Sequence, residues 1–391
     1  MNKDPISIVQ RGNLQSLEKT LRKQWRLGQS IVLCWCWDER GLLVIFVPHY
    51  FLGNYCANPD DPEVASENED YVRELISGRR RKSRDELFAV AVRLSVAPTF
   101  IKLSNPLEES IAVMDAVEQI IRRYGLSFVE RRGVLLIDVS DFSLFSSFEQ
   151  ASQLNSLSYS LNSAYNKLAA RGVEVNFART TTGDGYYVWN RDRHPRADQE
   201  LFLFFLLVLA DNALARAASR GNTVPVIRAA FHIGSHYELY QAEGVNPTVF
   251  SYIVGDVTIE LARIVERALP GQFMLGDFGN ADGTHSSAGF VRDCAEAARA
   301  VEGLSLTGRP LRNLLCWLTR DTAGGDDEFA DQPLDVMITD KHGIKHHAYN
   351  LQAELEFDDG TLSLGLTPEE FQEDRISAPD GGPSRSGAWW V

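Results

Sequence analysis

The amino-acid sequence predicts an α+β protein in which a mixed sheet is flanked by helices. Between residues 133 and 275, short apolar runs alternate with long stretches of helical periodicity. Two of these runs are joined by a tight Asp-Gly turn, which is typical of an antiparallel hairpin. Beyond residue 334, three more apolar runs are separated by turn residues, which predicts a small β-meander. Strands of this kind with covering helices indicate the α+β class.

Composition limits the classes of protein that fit. The chain has 391 residues, enough for two or three domains, and its 44% hydrophobic content is ordinary for a globular protein. A net charge of −14 argues against nucleic-acid binding. The five cysteines show no framework spacing, which favours a reduced, cytoplasmic compartment. The longest apolar run, residues 201–210, is too short to span a membrane, so we expect a buried helix and no membrane association. The polar start of the sequence predicts no signal peptide.

The same patterns divide the chain. Residues 1–104 form an N-terminal extension of unknown role, with a hairpin over residues 31–48 and a loop or solvated segment over 58–83 that includes the basic run 79–82. An amphipathic linking helix follows over residues 105–127, starting at Asn105-Pro106. The remaining segments are a domain over 128–280, a helical segment and linker over 281–333, a β domain over 334–374 and a disordered tail over 375–391.

The middle segment contains the elements of the predicted sheet. The apolar runs that we interpret as strands cover residues 133–139, 173–178, 186–189, 226–234 and 272–275. The helical patterns cover residues 147–171, 195–220 and 256–269.

Three positions in this segment carry candidate chemistry. Asp138 ends an apolar strand before a Ser-rich turn, and Asp184 lies in the Asp-Gly turn of the hairpin. If the sheet brings them together, two carboxylates make a hard oxygen site suited to Mg²⁺ or Mn²⁺. Arg263 follows the helix start at Gly255-Asp256. Taken singly, each has a simpler interpretation: a helix cap, a hairpin turn residue and a surface ion pair.

Taken in order, these segments resemble class III adenylyl and guanylyl cyclases over about 150 residues. The matching motifs are Asp138-Val-Ser-Asp-Phe142-Ser143, Thr181-Thr-Gly-Asp184-Gly185, Arg228 through Gly234, and Gly255-Asp256 followed by Ala262-Arg263. The resemblance implies the class III cyclase catalytic fold over residues 128–280. It also implies that a nucleoside triphosphate is cyclised and pyrophosphate is released.

The resemblance further implies the roles of individual residues. Asp138 and Asp184 would hold two metal ions, Mn²⁺ or Mg²⁺, with the backbone carbonyl of Val139. Phe142 and Ser143 belong to the loop that would cradle the triphosphate.

Arg263 would be the catalytic residue that stabilises the developing negative charge. Because this arginine comes from the partner subunit in the family, the resemblance implies a homodimer with two composite sites.

Three positions depart from the purine cyclases. The family's transition-state Asn is Ile259 here, its adenine-reading Lys is Thr180 beside Arg179, and its adenine-reading Asp is Tyr252. A tyrosine ring would shrink the pocket and suit a smaller base, which makes Arg179, Thr180 and Tyr252 the candidate base-binding residues.

Together with the C-terminal segment, this pattern resembles the pyrimidine cyclases of bacterial Pycsar antiphage systems. That resemblance implies cyclic UMP or cyclic CMP made from UTP, which we favour, or from CTP. The product would activate a separate effector protein.

Other interpretations remain open at the level of sequence. The chain is alternatively an adenylyl or guanylyl cyclase in general signalling, or a regulatory module that binds a nucleotide without chemistry, which Ile259 favours. Residues 324–329 superficially resemble the turn of a diguanylate-type cyclase, although they lie in an acidic linker with no strand before them.

Overall fold

The computed structural model describes residues 6–25, 30–58, 60–242, 249–279, 286–320 and 333–370. The chain divides into two compact units, the first formed by residues 1–132 and 235–258, the second by residues 133–234 and 259–391. The α+β class with a mixed sheet flanked by helices is confirmed. Most of the predicted linker and the tail beyond residue 375 lie outside the described residues.

The helices and strands of the described residues are as follows. The α-helices are α1 (Ile8–Trp25), α2 (Phe51–Cys56), α3 (Pro62–Ser77), α4 (Arg84–Arg93), α5 (Ile111–Arg122), α6 (Ser147–Ala169), α7 (Ala197–Ala218), α8 (Asp256–Arg267) and α9 (Ser287–Ala297). The strands are β1 (Ser30–Asp38), β2 (Gly41–Pro48), β3 (Thr99–Lys102), β4 (Leu126–Val139), β5 (Phe177–Thr181), β6 (Gly185–Asn190), β7 (Ile227–Ala242), β8 (Val249–Val254), β9 (Phe273–Gly276), β10 (Ser305–Leu306), β11 (Arg309–Leu318), β12 (Asp335–Thr339), β13 (Lys345–Phe357) and β14 (Gly360–Leu364).

The first unit contains the predicted N-terminal hairpin. Strands β1 and β2 pair antiparallel through a turn that sets Asp38 opposite Gly41, and β3 pairs with β2. One core of this unit joins β1 and β2 to α1 and α5, and a second core joins the same strands to α2, α3 and α4. The small sheet is therefore covered by helices on both faces, which explains why β1 is apolar along most of its length.

The segment over residues 58–83 is helical where we predicted a loop. Helix α3 begins after Asp61, whose side chain accepts hydrogen bonds from the amides of Glu63 and Val64, and Pro62 occupies its first position. That pair of residues is a recognised helix start. The prediction failed because the helix is polar on most of its surface and buries only Val72, Leu75 and Ile76.

The basic run 79–82 is not an exposed segment throughout. Arg80 is 1% exposed, and its guanidinium donates to the carbonyls of Val32 and Leu33, to the carbonyl of Leu126 and to the hydroxyl of Ser127. A buried guanidinium is tolerated only when its N–H groups find acceptors, and backbone carbonyls supply them here.

The linking helix begins later than we predicted. Helix α5 is capped by Ser110, whose hydroxyl accepts from the amide of Val113, and not by Asn105. The carbonyls of Asn105 and Pro106 instead accept hydrogen bonds from Asn13 of α1. These hydrogen bonds from Asn13 hold residues 105 and 106 outside the helix, so Pro106 does not start it.

The second unit is built on one mixed sheet. Its strand order is β10-β11-β13-β9-β7-β4-β6-β5, with β12 and β14 also paired to β13. Only β7 and β9 run parallel among the described pairs of this sheet, with Ala230 opposite Met274. The predicted meander is present as β12, β13 and β14, and β13 also pairs with β9, so these strands lie in the same sheet as the central ones.

Helix α7 forms the centre of the second unit's core. Its residues from Leu201 to Ala210 are all buried, as the apolar run predicted, and they pack with α6 and the sheet. By length and composition this one helix of the described part could cross a membrane, but 67% of its most apolar window is buried inside the protein.

Candidate functional site

The register of β4 on β6 brings Asp138 beside the turn that carries Asp184. Asp138 lies opposite Gly185, and the amide of Val139 donates to the carbonyl of Asp184 at 3.0 Å. A Cβ atom at Gly185 would lie 1.9 Å from the carbonyl oxygen of Ile137, so only glycine permits this approach. The two carboxylates predicted from sequence are therefore neighbours.

Asp138 is held in an unusual electrostatic environment. Burial first, and then the negative charge of Asp184, raise its pKa to about 6 against the opposing effect of Arg228. The Nε of Arg228 donates to Oδ2 of Asp138 at 2.7 Å, and the carboxylate side chain is 14% exposed. A poorly solvated carboxylate with a second carboxylate beside it favours the binding of a cation.

The donor atoms at this place fit a hard divalent cation. Asp138 and Asp184 supply carboxylate oxygens from adjoining positions of β4 and the turn before β6, and the chain runs directly on from Asp138 to the carbonyl of Val139. Oxygen donors of this kind suit Mg²⁺ and Mn²⁺. No cluster of three or more His, Cys, Asp or Glu side chains suited to a metal occurs in the described ranges. The remaining ligands would therefore be backbone, water or substrate oxygens.

The loop after β4 offers backbone donors next to the carboxylates. Asp141 has a left-handed conformation with φ of 56°, which ends the strand and starts a 3₁₀ turn at Phe142. The amides of Asp141, Phe142 and Ser143 have no hydrogen-bond acceptor in the part of the chain that the structure describes. Consecutive unpaired amides are the usual backbone site for a phosphate.

The two predicted base-reading residues on β5, Arg179 and Thr180, lie on opposite faces of the sheet. Thr180 lies opposite Tyr187, which lies opposite Leu136, so Thr180 shares a sheet face with Asp138. Arg179 lies on the other face, where its guanidinium stacks over the ring of Tyr186 at 5.2 Å. The structure therefore places Thr180, and not Arg179, on the face of the carboxylates.

Tyr187 is a residue of this face that sequence reasoning missed. Burial, with a smaller effect from the charge of Asp138, raises the pKa of its phenol to about 12. The sequence contained this information, because residues two apart in a strand share a face of the sheet, and Tyr187 therefore lies on the same face as Gly185.

The other predicted base-reading residue belongs to the first unit. Tyr252 lies on β8 opposite Leu239 of β7. The turn that follows β8 requires glycine, because a Cβ atom at Gly255 would lie 2.8 Å from the Cα of His236. Helix α8 then starts at Asp256, whose carboxylate accepts a hydrogen bond from Ser235. The role of Tyr252 stays a prediction.

Arg263 does not pair with the two carboxylates of its own chain. Its ionic partners are Glu266, at 3.3 Å from Nη1, and Asp340, at 3.8 Å from Nε. With Arg267 and Lys341 it lines a pocket of about 210 Å³ between α8 and the turn from β12 to β13. Ile259, where the family has Asn, is 55% exposed one helical turn earlier.

The raised pKa of Asp138 predicts a pH dependence of stability in metal-free protein. Asp138 has a pKa of about 6 when folded and 3.8 ordinarily, so its ionised form destabilises the fold. The destabilisation is absent below pH 3.8 and grows as the pH rises to about 6. Relative to Asp138→Asn, the wild type should lose on the order of 2 kcal/mol of unfolding free energy between pH 4 and pH 7. Urea denaturation in EDTA measures this difference, and a difference independent of pH would contradict the environment described for Asp138.

Comparison with solved structures returns nucleotide cyclase domains. The guanylate cyclase domain of RhGC from Catenaria anguillulae, in complex with GTP, is 15% identical, covers 57% of this chain and 97% of its own, and has a TM-score of 0.35. The adenylyl cyclase CyaB from P. aeruginosa is 11% identical, with 58% and 95% covered and a TM-score of 0.34. The guanylyl cyclase Cya2 is 12% identical, with 57% and 92% covered and a TM-score of 0.33.

Two further comparisons returned nothing. No protein family matches the sequence, and no curated protein matches it. The identities and TM-scores of the solved structures are too low to assign the substrate or the activity of those proteins to this chain.

Proposed function

We propose that this protein is a nucleotide cyclase that converts a pyrimidine nucleoside triphosphate, UTP or else CTP, to a 3′,5′-cyclic nucleotide and pyrophosphate. The observation that carries the proposal is the placement of Asp138 beside Asp184, next to three loop amides that have no acceptor among the described residues. Carboxylates that bind metal next to amides that bind phosphate are the parts that phosphoryl transfer needs.

Each residue has a defined task in this proposal. Asp138 and Asp184, with the carbonyl of Val139, would hold two ions of Mn²⁺ or Mg²⁺. Bound ions would supply charge neutralisation and a lower pKa for the attacking ribose 3′-hydroxyl. Phe142 and Ser143 would bind the triphosphate through their amides.

Arg263 would stabilise negative charge on the phosphate of a partner subunit's site. Because its described ionic partners are Glu266 and Asp340, a homodimer with composite active sites accounts for its position better than a monomer does.

The choice of base rests on residues that depart from the purine cyclases. Thr180 shares the face of Asp138, and it is too short and uncharged to act as the adenine-reading lysine. Tyr187 adds bulk to the same face, which supports a smaller base. With Tyr252 as a third base-binding residue, the resemblance to Pycsar pyrimidine cyclases supports a cytoplasmic enzyme whose product activates a separate effector in antiphage defence.

A second candidate function is favoured by one observation. Ile259 supplies no hydrogen bond where the family places its transition-state Asn, and it is exposed on α8. A module that binds a nucleoside triphosphate without turning it over would need no such group. Adenylyl or guanylyl cyclase activity is compatible with the fold, but no residue of the site favours it.

The deciding experiment supplies each nucleotide separately. Purified protein is incubated with Mn²⁺ and ATP, GTP, CTP or UTP, and the products are identified by mass spectrometry. We expect cyclic UMP or cyclic CMP with stoichiometric pyrophosphate. Release of a cyclic purine nucleotide would overturn the pyrimidine assignment. Tight binding without any cyclic product would establish the binding module instead.

A further inference from the structure

Helix α8 contacts the turn after β12 and the start of β13 through two polar side-chain contacts. Glu260 and Arg263 lie one helical turn apart on α8. Oε2 of Glu260 lies 2.8 Å from Nδ1 of His346, and Nε of Arg263 lies 3.8 Å from Oδ2 of Asp340. Because residues three apart share a helix face, both contacts are made from the same side of α8.

Asp340 is held in place by hydrogen bonds within its own turn. Its Oδ1 accepts hydrogen bonds from the amides of His342 at 2.8 Å and Ile344 at 2.9 Å, and its side chain is 5% exposed. Its Oδ2 faces both Arg263 and Nε2 of His346, each at 3.8 Å. A carboxylate held by two backbone amides cannot swing away, so its charge acts from one place.

The two ionic partners of Arg263 differ in their burial: Asp340 is 5% exposed and Glu266 is 66% exposed. Its Nε is buried and makes no hydrogen bond with any described residue, while the side chain as a whole is 28% exposed. The side chain also lines the 210 Å³ pocket. Glu266, the partner of Nη1, is 66% exposed, and an exposed carboxylate holds a guanidinium weakly.

We propose that Asp340 is a positioning residue for Arg263. Its buried charge holds the Nε edge of the guanidinium, and the terminal nitrogens stay directed into the pocket where the phosphate of a partner subunit's substrate would enter. This inference rests on the proposed cyclase function. It gives the C-terminal β-meander a part in catalysis: the turn after β12 orients the arginine that α8 carries.

Asp340→Asn tests the proposal because it removes the charge and keeps the oxygen that accepts from the turn amides. We expect kcat to fall about 10-fold, with KM for the nucleotide and the Mn²⁺ dependence unchanged, since a misplaced transition-state group affects the chemical step. Asp358→Asn is the matched control. It makes the same change in the turn between β13 and β14, where Asp358 pairs with Arg312 at an exposed site, and it should leave kcat unchanged.

A second measurement separates positioning from a general structural effect. In an Arg263→Ala background, Asp340→Asn should lower activity no further, because its effect passes through Arg263. An additional loss there, or an unchanged kcat in Asp340→Asn alone, would overturn the proposal. If Asp340→Asn does not fold, Asp340→Ser replaces it with the same expectations. If the wild-type protein has no cyclase activity, the proposed function is wrong, and this inference fails with it.

Discussion

Asp138→Asn and Asp184→Asn are each expected to lower cyclic nucleotide formation at least ~100-fold, because in the proposed function either change removes a charged metal ligand. Both substitutions keep the shape of the side chain, so the pairing of β4 with β6 should persist. Product formation with saturating Mn²⁺ and UTP or CTP measures the effect, and circular dichroism confirms the fold.

Asp192→Asn is the matched control for this pair. Asp192 follows the other end of β6 and accepts from the amide of Asn176. The same change of charge there should leave activity within about two-fold, since surface substitutions rarely disturb a distant site. Activity retained by either site variant would show that the paired carboxylates do not bind the catalytic metal.

Arg263→Ala is expected to lower kcat on the order of 100-fold, with a smaller change in KM, because the arginine would act on charge that develops in the transition state. Arg263→Lys should recover only part of the loss, since an ammonium cannot reproduce the guanidinium fork. Arg312→Ala, at an exposed ion pair with Asp358, is the control.

Mixing two inactive variants tests whether Arg263 acts in a partner's site. Equal amounts of Arg263→Ala and Asp138→Asn chains would form mixed dimers with one intact composite site. If subunits exchange freely, the mixture should recover about a quarter of wild-type activity. A mixture no more active than its components would place Arg263 in the site of its own chain or outside catalysis.

The parts of the fold that were predictable have strong local signals. The β1–β2 hairpin and the strands of the meander follow from apolar runs bounded by turn residues, and α7 follows from its long apolar run. Helix α3 was missed because its apolar residues are few. Strands β8 and β11 were missed because adjacent strands support them, and one sequence does not show that pairing.

The positions of the two candidate carboxylates could be predicted from the sequence, whereas the sheet faces of the candidate base-reading residues could not. The motifs around Asp138 and Asp184 identify two strand ends, and the β4–β6 register brings them together. Arg179 was named as the residue beside Thr180, and adjacent residues of a strand face opposite sides of the sheet. Assigning a face requires the register, which depends on strands distant in sequence.

Arg80 has a consequence for any attempt to isolate the cyclase-like part of the chain. Its guanidinium ties the carbonyls of β1 to the first residues of β4, the strand whose last residues include Asp138. A fragment starting at residue 128 would begin inside that strand and would lack both the arginine and its acceptors. We expect such a fragment to be insoluble. We therefore expect truncated forms that keep the proposed activity to retain the N-terminal hundred residues, because Arg80 holds the start of β4.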